Sequence, residues 1–153
     1  MADGAIALGS DHAGLRLKRA IARHLAEQGV AVVDLGTDGE ASVDYPDYAA
    51  AVARAVATGR QRLGVLVCGT GIGMSIAANK VRGARAAVCG NEVEARLARA
   101  HNDANVLTMG GRLVAPGLAL DVIGHFLGSD FSGGRHAGRV DKIVELERRG
   151  GPN

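Results

Sequence analysis

The feature that most constrains this chain is a repeated alternation of short aliphatic runs with amphipathic stretches. The runs Ala5–Gly9, Val30–Leu35, Gly64–Cys68, Ala84–Cys89 and Val106–Met109 lack the in-and-out alternation of a half-exposed strand. They predict strands buried on both faces, as in a parallel sheet. Between them, Leu17, Ile21 and Leu25 recur every four residues, and Arg16, Arg19, Arg23 and Glu27 form the opposing polar face. Tyr48, Val52 and Val56 repeat the pattern, with Pro46 suited to a first helical turn and Gly59 to a stop. Asn91 and Glu94 form a capping-box pair ahead of Val93 and Leu97. Pro116 opens a helical stretch closed by Gly128, and a last helix is expected from about Ala137 to Arg149. Strands alternating with helices at this spacing imply βαβ units: a doubly wound α/β sheet of about five parallel strands, with helices on both faces. No linker, repeat or composition shift divides residues 1–153, so a single domain is expected. In such folds ligands bind beyond the carboxyl ends of the strands, so the loops there are where chemistry belongs.

Composition excludes several classes of partner. The net charge is +2 from 18 basic and 16 acidic residues, and Arg148 and Arg149 are the only adjacent arginines. No basic run resembles a nucleic-acid footprint, and 3% aromatic residues with no Trp leave no platform for stacked bases. The start, through Gly14, has neither the basic nor the long apolar region of a signal peptide, and no apolar stretch is long enough for a membrane span. Cys68 and Cys89 form neither a CxxC pair nor a disulfide framework, and a bridge between them is disfavoured in a reducing compartment. A cytoplasmic protein that touches neither nucleic acid nor membrane is expected.

Three loops hold the candidate chemistry. The third strand runs into Cys68-Gly69-Thr70-Gly71-Ile72-Gly73-Met74-Ser75. Its glycines permit positive φ and close approach of backbone to a ligand, and the helix that follows aims free N–H groups at an anion or a developing oxyanion. Met74 stands where a dinucleotide fingerprint needs Gly, and no Lys-Ser/Thr pair makes it a Walker loop. Cys68 sits against that helix start, a setting that favours a thiolate base or nucleophile. A tight turn with a buried Cys fits the same residues. Cys89 lacks such a cradle and reads as a small buried hydrophobe.

The first strand ends in Gly9-Ser10-Asp11-His12-Ala13-Gly14, where Leu15 replaces the Lys of a P-loop. Asp11 and His12 supply an acceptor and a titratable group, or simply a helix cap beside a surface His. His101-Asn102-Asp103 closes the fourth helix, and could equally be a plain C-cap and turn. Arg135 and Arg139 lie four apart at the opening of the last helix, on one face. Cations there oppose the helix dipole, and their forked donors suit phosphate oxygens. Arg112, in Gly110-Gly111-Arg112, could join them.

GSDHAG, DYPDYA, CGTGIGMSIAANK, HNDANVL, GGR and GGRHAGRV, in that order, closely resemble the ribose-5-phosphate isomerase B family and its galactose- and allose-6-phosphate relatives. The resemblance runs from Ala5 to about Arg149. It implies a Rossmann-like fold, a homodimer or tetramer, a sugar-phosphate substrate, and no metal or nucleotide cofactor. One branch carries the catalytic Cys and another a Glu where this chain has Met74, so Cys68 with Met74 matches the Cys branch. The implied reaction interconverts ribose 5-phosphate and ribulose 5-phosphate through a cis-enediolate. Cys68 is then the base, with Thr70 hydrogen-bonded to it. Gly69, Thr70, Gly71, Ile72 and Gly73 hold the enediolate, and His101 opens the sugar ring. Asp11 and Asn102 hold hydroxyls, and His12, Arg112, Arg135 and Arg139 seat the phosphate. Topology adds that Cys68 and His101 fall at opposite sheet edges, which implies active sites shared between subunits. A hexose-6-phosphate isomerase and a catalytically silent sugar-phosphate-binding regulator are the competing readings.

Overall fold

The computed structural model describes residues 4–152; residues 1–3 and 153, the outermost ends of the expected domain and the first residues of the start read as no leader, lie outside them. Strands β1 (Ile6–Ser10), β2 (Val32–Asp34), β3 (Gly64–Cys68), β4 (Ala86–Val88) and β5 (Val106–Gly110) form one sheet in the order β2-β1-β3-β5-β4. Every pairing is parallel. Helices α1 (Leu15–Glu27), α2 (Tyr45–Ala57), α3 (Ile72–Ala78), α4 (Glu92–Asn102), α5 (Pro116–Leu127) and α6 (Arg135–Arg149) alternate with the strands, except that α6 follows α5 directly.

The strand periodicity of two divides the interior into two layers. Ile6, Leu8, Val65, Val67, Leu107 and Met109 face one side, against α1, α4 and α5, where Ile21, Ile123 and Phe126 complete an apolar layer. Ala7, Leu66, Cys68 and Val106 face the other, against α2 and α3, through Val52, Val56, Met74 and Ala78. The small residues on this second side let the helices sit close, and Cys68 faces into that layer at the end of its strand.

The central strands are buried on both faces as expected, but β2 and β4 are not. Each has only three residues, partly exposed, because an edge strand lacks a neighbour on its far side. Asn91 caps α4 by accepting the Glu94 N–H at 2.9 Å, whereas the Glu94 carboxylate reaches back to the Gly90 N–H, not that of Asn91. Val93 does not join the inward face of α4. It is 56% exposed, while Ala95, Ala98 and Arg99 are buried. Helix α6 begins at Arg135, two residues earlier than expected, so Arg135 lies within the helix together with Arg139. No helix among the described residues is long and apolar enough to cross a membrane.

Candidate active site

Strands β1 and β3 are neighbours whose following connections diverge, which makes the crevice between them a topological switch point. Cys68 ends β3 there, and its Sγ accepts the Gly71 N–H at 3.1 Å. The loop is folded onto β5 by direct backbone contact. A Cβ on Gly71, which has φ +81°, would lie 2.7 Å from the Met109 carbonyl carbon, and one on Gly110 would lie 2.7 Å from Thr70 backbone. The buried Thr108 hydroxyl pins the turn by donating to the Gly71 carbonyl at 2.8 Å. Only glycine fits such an approach, so the amide beside the sulfur is held by shape. The expected Thr70 bond to Cys68 is absent. Thr70 Oγ1 accepts the Ile72 N–H at 3.2 Å instead, because the turn brings the Gly71 amide to the sulfur and leaves Thr70 exposed.

The loop after β1 supplies the other wall. Asp11 is 5% exposed, and its Oδ1 accepts the Gly14 N–H at 3.0 Å. His12 Nδ1 accepts the Val43 N–H at 3.2 Å, so a neutral His12 carries its proton on Nε2 and keeps a free donor. Arg112 crosses Gly69, where a Cβ would stand 3.0 Å from the guanidinium. Together with Cys68, Asp11, His12, Gly69, Thr70, Ile72 and Gly73, it lines a cavity of about 470 Å3. Sequence reasoning missed Tyr45 as a site residue although it lies within DYPDYA. It also lines this cavity, and a Cβ on Gly73 would meet its ring at 2.5 Å.

His101 and Asn102 are elsewhere. Gly64 pairs with Val106 and Cys68 with Gly110, so β3 and β5 run in step from one sheet edge to the other. Helix α4 ends at Asn102, just before Val106 begins β5, whereas Cys68 ends β3 at the opposite edge. The His101 ring stacks on His136 of α6 with centroids 4.1 Å apart and planes 11° from parallel. Desolvation, then His101, Arg135 and Arg139, hold the His136 pKa below its ordinary value. The four residues expected to seat a phosphate are therefore divided within the chain. His12 and Arg112 stand with Cys68; Arg135 and Arg139 stand with His101 and His136. Parallel strands start and end at opposite edges, and no side chain spans the distance between.

The turn after α4 has its own polar network. Asp103, at φ +46°, is the only non-glycine with positive φ among the described residues. Its carboxylate pairs with Arg99 at 2.8 Å and Arg85 at 3.2 Å. Cys68 and Cys89 are both buried and free.

A family model described as Ribose/Galactose Isomerase matches residues 6–143. Ribose-5-phosphate isomerase B of Escherichia coli is 50% identical over 94% of this chain and 97% of its own length. The structure of ribose-5-phosphate isomerase B from Clostridium thermocellum superposes with a TM-score of 0.93 at 54% identity, covering 94% of this chain and 97% of that one. The Mycoplasma genitalium ribose-5-phosphate isomerase B with bound ribulose-5-phosphate also gives a TM-score of 0.93, at 43% identity, covering 98% of this chain and 100% of that one.

Proposed function

This chain belongs to the ribose/galactose isomerase family, and on that premise we propose that it interconverts ribose 5-phosphate and ribulose 5-phosphate. The observation that carries the reading is the Cys68 sulfur taking an amide N–H at 3.1 Å in a cavity that His12 and Arg112 also line. The amide N–H fixes the sulfur at the cavity, and the Arg112 guanidinium beside it suits an anionic substrate.

In the proposed reaction Cys68 removes the C2 proton of the open-chain aldose, and the electron pair of that bond becomes the double bond of a cis-enediolate. Return of a proton to C1, with the hydroxyl proton passing from O2 to O1, gives the ketose. Amides of the loop from Gly69 to Gly73, other than those of Gly71 and Ile72 that bond the Cys68 sulfur and the Thr70 hydroxyl, face the charge that develops on oxygen, and Thr70 and Asp11 contact sugar hydroxyls. His101 opens the furanose ring, Asn102 holds a hydroxyl, and His12, Arg112, Arg135 and Arg139 bind the phosphate. Since one chain divides these groups between two sheet edges, the working unit is a cytoplasmic homo-oligomer, a dimer or tetramer, whose sites are shared. Neither a metal nor a nucleotide has a part in this scheme.

The experiment is proton exchange combined with a substrate panel. Cys68→Ala should abolish exchange of the C2 proton of ribose 5-phosphate with solvent while sugar-phosphate binding persists. Near-normal exchange would remove Cys68 from the mechanism. Wild-type kcat/KM should favour ribose 5-phosphate over allose 6-phosphate and galactose 6-phosphate, and the reverse order would assign a hexose phosphate.

A further inference from the structure

We infer that Asp103 is a positioning residue for His101, held in an unfavourable backbone conformation by two guanidinium groups so that the end of α4 stays fixed. A left-handed conformation is uncommon for any residue with a side chain, and it persists where surrounding contacts over-determine it. Asp103 has φ +46° and ψ +42°, directly after the last residue of α4. The contacts that hold it are on both sides. Arg99, only 5% exposed, donates to the Asp103 carboxylate at 2.8 Å and to the Ala104 carbonyl at 2.7 Å. Arg85, entering from the loop before β4, donates to the Asp103 carboxylate at 3.2 Å and to its carbonyl at 2.9 Å.

A glycine would reach this conformation without cost, as it does at most helix ends of this kind. The chain instead keeps a carboxylate, and that carboxylate is what the buried Arg99 pairs with. The result is a turn clamped to the loop before β4 on one side and to its own helix on the other. His101 lies between the two clamped residues, two after Arg99 and two before Asp103, and its ring must also meet His136 of α6. Loosening the turn would let the imidazole drift while the helix itself survives.

This inference rests on the proposed role of His101 in ring opening, and the test separates the two. Ribulose 5-phosphate cannot form a furanose, because its C5 oxygen is esterified. Solvent-deuterium exchange at its C1 therefore needs enediolate chemistry but no ring closure. Asp103→Asn keeps a side chain at home in left-handed backbone and removes the charge. Its turnover of ribose 5-phosphate should fall tenfold or more, with C1 exchange within about twofold of wild type. His101→Asn serves as the reference, and if it fails to separate exchange from turnover, the ring-opening role is wrong. The positioning role is then judged by NMR alone: the ring resonances of His101 should move in Asp103→Asn while those of His24 stay. Unmoved His101 resonances, wild-type turnover, or equal loss of exchange and turnover each overturn it. Should Asp103→Asn not fold, Arg85→Met removes the more exposed guanidinium, and the same separation is expected at smaller amplitude.

Discussion

At the scale of single residues, the two cysteines have nearly equal burial and opposite chemistry. Cys68 is 4% exposed and Cys89 1%, but only Cys68 has an amide N–H on its sulfur. Burial, and then the charge of Glu94, push the Cys89 thiol up to about 12 from 9.0. The unfolded thiol ionises near 9, whereas the folded one keeps its proton to about 12. Between those values the unfolded chain binds fewer protons, so stability falls as pH rises through that window. Cys89→Ala should remove part of this decline, measured as the urea midpoint at pH 8 and pH 10, and leave turnover largely intact. An unchanged alkaline slope would assign the decline to other groups. The contrast between the cysteines was legible because one precedes a glycine-rich loop and the other does not. Which group would reach the sulfur was not legible, since that depends on the positive φ of Gly71 and its seating against Met109. Lys18 was equally hidden. It lies 1% exposed within α1, paired at 2.7 Å with Asp34 on β2, and no helical spacing announces a partner on a strand.

At the scale of elements, the central strands were readable because a strand covered on both faces is apolar at every position. The edge strands were overextended, since Val30, Ala31 and Leu35 share their composition with core strands but not their neighbours. Two arginines spaced by four residues share a face once both lie in α6, but nothing local says which sheet edge that helix reaches. That came from the stacking of His136 on His101 and from the bond of the Ser132 N–H to the Ala100 carbonyl at 2.9 Å. Replacing Arg135 or Arg139 with Ala should remove a charge-assisted contact of about 1.5–3 kcal/mol. That corresponds to roughly tenfold to more than a hundredfold in kcat/KM for ribose 5-phosphate. Unphosphorylated ribose supplies the comparison. If it loses as much as the phosphate ester, these arginines do something other than bind phosphate.

At the scale of the whole molecule, one chain carries two incomplete constellations on opposite sheet edges. One has Cys68, Asp11, His12 and Arg112; the other has His101, Asn102, Arg135 and Arg139. Ile72 and Ile76, on the wall of the Cys68 cavity, are 55% and 59% exposed, and nearby Leu113 is 69% exposed. Apolar side chains left open beside a polar half-site suit contact with another subunit. In the proposed arrangement a symmetric dimer would bring the opposite edge of a second copy to each cavity, giving two equivalent sites built from both chains. Complementation checks this directly. Cys68→Ala and His101→Asn, each inactive alone, are unfolded together and refolded as a mixture. In a heterodimer with shared sites, one site collects both lesions and the other collects neither. Random pairing makes half of the dimers heterodimers, so about a quarter of wild-type activity should return. If both residues acted within one chain, every site in the mixture would carry a lesion, and verified heterodimers would recover nothing. Dilution gives the complementary sign, because a shared site disappears with the dimer: activity per chain should fall at concentrations where sedimentation detects monomer.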